Sequence, residues 1–318
     1  MNFKLLLARI AARIERWTDV LRRPSKAEPS ITPYVGYATP QHLIVRGRVL
    51  ATRQERLMRP DQSRFANFRA MIGLFRTDEM ADVIVSAGEV MTRTDEEGYF
   101  TLELPRGDAT GRTIVTVTLG KKSWQCPVII PDTAASYGII SDIDDTMILT
   151  GAYSLARNIW TSLTGNAATR LVFPDAVRLM ARLNTVVSPV FFVSSSPWNF
   201  YPFLREIMSK SQLPEAPMFL RDYGISETQF ITGTHGDHKG QAIDTILAAN
   251  PNLPFVLIGD TGQHDAHVYA DAVKRHPGRI ARVILRQAGP RQDAHAISAL
   301  RAAGIPVHVA PSYDDMDF

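Results

Sequence analysis

A chain of 318 residues, 45% apolar and 21% charged, has globular composition and enough length for more than one hydrophobic core, which excludes a disordered or fibrous protein. Its formal net charge is +3 and its pI about 9.0, a mild basicity that suits anionic substrates or membrane headgroups and is too small to argue for nucleic acid. Cys126 is the single cysteine, so no intramolecular disulfide forms, nothing points to an oxidising compartment, and a cytoplasmic location is expected.

Between Met1 and Arg23, Phe3, Leu7, Ile10, Ile14, Trp17 and Leu21 recur at a three-four spacing that lines one face of a helix. Lys4, Arg9, Arg13, Arg16, Arg22 and Arg23 fill the rest. Arg9 and Arg13 interrupt the apolar run too early for a signal peptide, and no later stretch is long enough to span a bilayer. Two readings stay open: a basic amphipathic helix lying peripherally on an anionic membrane surface, or a helix packed on its own protein or in a dimer. Pro24 to Pro33, polar and with three prolines, reads as a linker, so residues 1–31 are expected to be amphipathic helix and linker.

From 32 to 133 the pattern turns to short β-rich runs, His42 to Val49, Ala81 to Val85, Tyr99 to Leu104, Thr113 to Leu119 and Cys126 to Ile130, separated by turn signals such as Asp95-Glu-Glu-Gly98. This spacing predicts an all-β, antiparallel sandwich-like domain. Arg53 to Arg76 breaks it as a long loop or short helix. The domain shows no His, Asp or Cys cluster, and reads as a structural or docking module whose partner the sequence does not name.

From 134 to 318 apolar strands alternate with helical stretches, the pattern of a parallel sheet with crossover helices. Predicted strands follow at Val186 to Val193, Phe255 to Ile258, Arg279 to Leu285 and Pro306 to Ala310. Predicted helices are Asp175 to Leu183, Trp198 to Met208, Gly240 to Ala249, Ala266 to Arg275 and Asp293 to Ala303. About forty residues separate Thr146 from Val186, so any cap over the site is small and helical.

Four stretches in this half carry chemistry. Gly138, Ile139 and Ile140 form a buried strand that ends in Asp142, Asp144, Asp145 and Thr146. Crowded carboxylates repel one another unless a cation offsets them, and hard oxygen ligands with room for phosphate suit Mg²⁺. The two-residue strand period puts Asp142 and Asp144 on one side and turns Asp145 away. In the second stretch, Val190 to Val193 runs into Ser194-Ser-Ser-Pro197, where a hydroxyl and backbone N–H groups meet a phosphoryl oxygen, or simply cap the next helix. Third comes the loop Gly233-Thr-His-Gly-Asp-His-Lys-Gly240, whose Lys239 enters a helix and either places an ammonium over a phosphate or is a solvated surface residue; His235 and His238 contact substrate, donate a proton or merely pack. In the fourth, Phe255 to Ile258 precede Gly259-Asp260 and, after a turn, Asp265, a pair of carboxylates suited to a metal. Trp198, Phe200, Tyr201 and Phe203 either meet acyl chains or bury one helix face.

Asp142-Ile-Asp-Asp-Thr146 resembles the DxDxT signature of the haloacid dehalogenase superfamily, and Ser194, Lys239 and Asp260 with Asp265 follow in that superfamily's order. The phrases Phe192-Val-Ser-Ser-Ser-Pro-Trp198, His238-Lys239 and Leu257-Ile-Gly-Asp-Thr-Gly-Gln-His-Asp265 are similar to the Mg-dependent phosphatidate phosphatases of the fungal actin-patch type and their bacterial relatives. The resemblance implies a Rossmann-like α/β catalytic domain of haloacid dehalogenase fold with a small cap. It implies Asp142 as nucleophile, Asp144 as general acid/base, Thr146, Ser194 and Lys239 on the phosphate, and Mg²⁺ held by Asp142, Asp144, Asp260 and Asp265. The expected reaction removes phosphate from phosphatidate, or another phosphorylated lipid, to leave diacylglycerol. The alternatives are a phosphatase of a soluble metabolite, nucleotide or protein, and a membrane-associated scaffold with incidental phosphatase activity.

Overall fold

The computed structural model describes residues 28–51, 79–149, 172–184, 188–221, 235–288 and 293–316. The amphipathic stretch 1–23, the segment Arg53 to Arg76 and the cap region lie outside the described residues.

Seven strands, β1 (Ser30–Ala38), β2 (His42–Leu50), β3 (Ile84–Ala87), β4 (Val90–Arg93), β5 (Tyr99–Pro105), β6 (Arg112–Leu119) and β7 (Lys122–Ile129), form one mixed sheet in the order β4-β3-β6-β7-β1-β2-β5. Strand β1 is its hub. It pairs antiparallel with β2 from Ser30↔Leu50 to Ala38↔Leu43 and parallel with β7 at Gly36↔Val128 and Tyr37↔Ile129. The outer strands β4 and β5 come back into contact, so the sheet nearly closes on a core that includes Val45, Val49, Val85, Leu102, Val117, Cys126 and Val128. Burial pushes the Cys126 thiol up to about 12, which keeps it inert.

A second, six-stranded parallel sheet has the order β10-β9-β8-β11-β12-β13, from β8 (Gly138–Asp142), β9 (Val190–Pro197), β10 (Met218–Arg221), β11 (Phe255–Asp260), β12 (Ile280–Arg286) and β13 (Val307–Ala310). Its helices are α1 (Pro174–Leu183), α2 (Tyr201–Lys210), α3 (His235–Ala249), α4 (Asp265–Arg275) and α5 (Ala294–Ala302). Along β8 successive side chains go to opposite faces: Ile139 packs with Leu179, Phe192 and Tyr201, and Ile140 with Phe191, Ile243 and Ile246. Gly138 is required at its position, because a Cβ there would stand 2.3 Å from the Phe255 ring. In α1, Pro174 starts the helix and Ala176, Leu179, Met180 and Leu183 form the buried stripe.

This architecture corrects the expected fold class. Among the described residues β structure predominates, thirteen strands against five α-helices, in one nearly closed mixed sheet and one parallel sheet. The first seven strands are not a two-sheet sandwich, because the parallel β1–β7 pairing joins them into one continuous sheet. The Rossmann-like haloacid dehalogenase class with a cap is likewise not the class of this chain as described: helices are few, and the chain's core is shared between the two sheets. Tyr34 of β1 belongs to the same apolar cluster as Ile139, Leu179 and Tyr201. Strand β1 itself begins inside the stretch expected as linker, since Pro33 and the polar start hide its pairing, and its register shifts between Tyr34 and Tyr37. Strands β4 and β10, four residues each, are too short to show a period in sequence.

The two sheets meet through β1 and β2. Tyr34 stacks on Trp198 with ring centres 4.6 Å apart and planes 15° from parallel, and the Tyr201 hydroxyl accepts from Val35 N at 2.9 Å. Arg46 donates to the Met218 carbonyl at 3.0 Å and lies over the Phe219 ring. Phe200, Tyr201 and Phe203 are buried. Trp198 and Tyr201 therefore pack at this junction, and Phe200 and Phe203 lie in the same apolar cluster.

Candidate active site

In a parallel sheet all carboxyl ends fall on one edge, and the chain leaves β8 in one direction for β9 and β10 and returns on the other side as β11. Asp142 ends β8, Ser194 lies near the end of β9 and Asp260 ends β11, so three stretches far apart in sequence converge at this edge. Asp265 opens α4 just beyond β11. Asp142, Asp260 and Asp265 present carboxylate oxygens within 4.8 Å of one another, and all three are buried.

Lys239 reaches the cluster from α3. That helix begins at His235, five residues before the predicted start, because its apolar face packs on the sheet and overrides the poor helix propensity of Gly236 and Gly240. Lys239 sits one, two and two turns before Ile243, Ile246 and Leu247, on the same buried face, so its side chain points inward. Its ammonium lies 2.7 Å from Asp142 Oδ1 and 2.5 Å from Asp265 Oδ1. Burial disfavours that charge, but the two carboxylates outweigh it and hold Lys239 protonated well above the usual range.

The carboxylates respond in the opposite sense. Burial raises Asp142 well above the ordinary range, with Lys239 opposing and Asp265 and Asp144 reinforcing the shift. Asp260 is pushed up to about 8, first by burial and then by Asp265. Asp265 is built into the loop as well: its Oδ2 accepts from Asp260 N at 3.1 Å. Gly259 makes this approach possible, since a Cβ there would stand 2.6 Å from Asp265 Oδ2 and 2.8 Å from the Tyr269 hydroxyl.

Asp144 turns elsewhere. Its Oδ2 accepts from Ser194 Oγ at 2.5 Å and from Ser196 Oγ at 3.0 Å, while its Oδ1 is buried without a hydrogen-bond partner. Burial raises its pKa and the two serine hydroxyls moderate the rise. Its backbone carbonyl accepts from Gln263 Nε2 at 3.1 Å. Asp145, in the left-handed region at φ 59, carries the chain round a tight turn closed by Asp145 N to Ile148 O at 2.7 Å, and its Oδ2 lies 3.4 Å from Gln263 Nε2. Thr146 is fully buried, with Oγ1 unpartnered.

His238 packs at the start of α3 with Nε2 buried and unpartnered, and burial holds its imidazole below the usual range, hence neutral. The His235 side chain lies outside the described residues. Ser196 and Gln263 had no separate signal in the sequence beyond membership of the same motifs. Both became visible only because they bridge strands β9 and β11 to the loop after β8.

The set fits a hard divalent cation. Asp142 Oδ2, Asp144 Oδ1, Thr146 Oγ1 and Asp260 Oδ2 are all buried without hydrogen-bond partners, and unpaired buried oxygens are costly unless an ion or substrate supplies the partner. Asp142, Asp260 and Asp265 are the group placed to hold it. The Asp144 side chain stands outside that group, on Ser194 and Ser196.

Residues 137–287, the segment that contains all of these groups, match the family model described as "Phosphatidate phosphatase APP1, catalytic domain". The segment is similar to phosphatidate phosphatase APP1 of Saccharomyces cerevisiae, 30% identical over 151 residues, 47% of this chain and 25% of that protein. It is also 31% identical over 152 residues to an uncharacterized protein of Schizosaccharomyces pombe, covering 46% of this chain and 24% of that one. The chain thus spans about a quarter of the length of these curated relatives. Among solved structures, a chain of the Pnkp1/Rnl/Hen1 complex aligns with 55% of this chain and 57% of its own length at 13% identity and a TM-score of 0.35, too low to bear on fold.

Proposed function

We propose, from the match of residues 137–287 to the phosphatidate phosphatase APP1 catalytic-domain model, that this chain is a phosphoric monoester hydrolase acting on phosphatidate. One observation carries the reading: Asp142, Asp260 and Asp265 gather with Lys239 at the carboxyl edge of the parallel sheet, inside the matched segment, with buried oxygens left unpartnered.

In this reading Asp142, at the end of β8, is the nucleophile. Its carboxylate forms a bond to phosphorus as the phosphorus–alkoxide bond breaks, giving an aspartyl-phosphate that water then hydrolyses. Asp144 protonates the departing alkoxide and afterwards takes a proton from that water. Its environment supports the role: burial favours the protonated form, Ser194 and Ser196 anchor Oδ2, and Oδ1 is left to carry the proton. Lys239 holds the nucleophile's other oxygen and supplies positive charge beside the transferring group. Ser194 and Thr146 are carried as phosphate contacts. Mg²⁺, held by Asp142, Asp260 and Asp265 with the Asp144 region alongside, would neutralise the carboxylates and the phosphate.

The division into 1–31, 32–133 and 134–318, the cytoplasmic setting and peripheral contact with an anionic membrane through residues 1–23 belong to the same proposal. No helix among the described residues is long and apolar enough to cross a membrane.

A substrate panel in Mg²⁺ tests the function. Phosphatidate in vesicles is expected to be hydrolysed to diacylglycerol faster than nucleotides, sugar phosphates or phosphopeptides. Equal or better turnover of a soluble ester would reassign the substrate while keeping the reaction, and no phosphate release from any of them would remove the phosphatase reading. Deleting residues 1–24 is expected to lower vesicle binding and leave a small soluble ester unaffected; unchanged vesicle binding would assign the apolar stripe to a protein contact.

A further inference from the structure

We infer that the β-rich unit is a working part of the active site: Arg48 of β2, through Asn199, holds the end of β9 whose serines orient Asp144. Arg48 is only 3% exposed. Its guanidinium donates Nε to the Glu97 carbonyl at 2.8 Å, Nη2 to Glu79 Oε1 at 2.8 Å and Nη1 to Asn199 Oδ1 at 2.6 Å, and it lies over the Tyr99 ring. The first two partners and the ring fix the guanidinium within the β-rich unit. The third extends it into the other sheet's loop.

Asn199 lies in the single turn Trp198–Phe200 that directly follows β9. The residues just before it, Ser194 and Ser196, both donate to Asp144 Oδ2, and Ser196 N donates to Ser194 Oγ at 2.9 Å. Trp198, between the serines and Asn199, is stacked on Tyr34 of β1. The loop is therefore gripped from the β-rich unit at two successive residues, one by a ring stack and one by a part-buried charge-assisted bond. A planar, five-donor guanidinium fixes direction as well as distance, which a lysine at the same place would not do. Arg48 and Asn199 touch no reacting atom; they are positioning residues for Asp144, acting through Ser194 and Ser196. The role assigned to Asp144 rests on the phosphatase reading, whereas the mechanical link does not.

The test compares Asn199→Leu, which removes the acceptor, with Asn199→Asp, which keeps an acceptor for Arg48, in the full chain. With a soluble aryl phosphate that the wild type turns over, Asn199→Leu is expected to lower kcat about tenfold with KM within about twofold, because small misplacements of a proton-transfer group cost rate more than binding. Asn199→Asp is expected to restore kcat to within about twofold. Amide hydrogen exchange is read in parallel. Exchange at Ser196 is expected to accelerate in Asn199→Leu and not in Asn199→Asp, while the amides of β8 and β11 keep wild-type rates. Wild-type kcat and Ser196 exchange in a folded Asn199→Leu protein would overturn the inference, as would equal impairment of both variants. If Asn199→Leu fails to fold, Asn199→Ala, which removes the acceptor without adding bulk, takes its place with the same two readouts. If the wild type hydrolyses no phosphate ester, the phosphatase reading fails, and the exchange data alone decide whether Arg48 holds the loop.

Discussion

Lys239 Nζ lies 2.7 Å from Asp142 Oδ1, although β9, α2 and β10 all intervene between the two residues in the chain. The ammonium is the one cation that meets this cluster of three buried carboxylates among the described residues, and each partner is almost wholly removed from water. Breaking one side of a buried pair leaves an uncompensated charge, at a cost of about 3–5 kcal/mol. Lys239→Met is therefore expected to lower the thermal midpoint sharply in metal-free buffer and to recover part of it in Mg²⁺, as the ion takes over neutralisation. Differential scanning calorimetry with and without Mg²⁺ checks this; an unchanged midpoint would mean that the pair contributes no net stability.

Asp142 and Asp144 are separated, one on Lys239 and the other on Ser194 and Ser196, and the proposed mechanism gives them different kinetic signatures. Asp142→Asn is expected to remove turnover of every substrate. Asp144→Asn is expected to slow alkyl phosphates by about 10²–10⁴-fold, the usual worth of general acid–base catalysis, and to slow an aryl phosphate with an acidic leaving group much less. Steady-state rates on the two esters decide it. Equal losses on both would transfer the acid role away from Asp144.

In the proposed mechanism, a cation held by Asp142, Asp260 and Asp265 displaces a proton from Asp260, whose carboxyl is pushed up to about 8 by burial and Asp265. In the ion-free protein the folded state thus holds this proton between the ordinary carboxylate range and about 8, and binding of Mg²⁺ releases it. The stabilisation produced by a fixed Mg²⁺ concentration is expected to grow from pH 6 to pH 8, and to be lost in Asp260→Asn at both. At a concentration one hundred times Kd it amounts to about 2.7 kcal/mol. Calorimetric titration at the two pH values, which also counts released protons, provides the measurement; an affinity independent of pH would contradict the raised Asp260.

Asp175 carries a pKa shift of the opposite sign, one residue away from the site through Tyr313, whose hydroxyl lies 3.5 Å from the Thr146 carbonyl. Burial acts to raise it, but Tyr313 N at 2.8 Å, Arg286 Nη2 at 2.6 Å and Ser312 Oγ at 2.8 Å together hold it below the usual carboxylate range. A lowered folded-state pKa contributes stability that is complete above the unfolded value of about 4 and is lost as pH falls through the folded one. Asp175→Asn is expected to be less stable at pH 7 and to show a flatter fall in thermal midpoint below about pH 4. Arg286 lies between the Phe173 and Tyr313 rings, so the variant should also loosen the C-terminal turn Tyr313–Asp315. Parallel melting curves of the two proteins on the acid side would expose an error in this assignment.

Much of the site was legible in the chain because each piece is a short contiguous stretch: a run of apolar residues ending in Asp142 or Asp260, or one ending in Ser194. Strand ends and side-chain types are local properties, readable from period and composition. The family match to residues 137–287 agrees with the resemblance drawn from those same stretches. What Asp144 touches was not legible, nor was the helical start at His235, since both depend on groups brought together from distant parts of the chain.

The fold class marks the same limit. By itself the sequence determined where apolar runs alternate, where turns fall, and which acids, hydroxyls and lysine stand at their ends. Only the tertiary structure decided that β1 pairs parallel with β7, so that the first strands close into one sheet in place of a sandwich, and that β1 and β2 lay Tyr34 and Arg48 against Trp198 and Asn199. The reason is physical: hydrophobic period is written along the chain. Strand partners, sheet closure and the bond made by a buried guanidinium are instead settled between segments, by whichever long-range pairing satisfies the most backbone and polar groups at once.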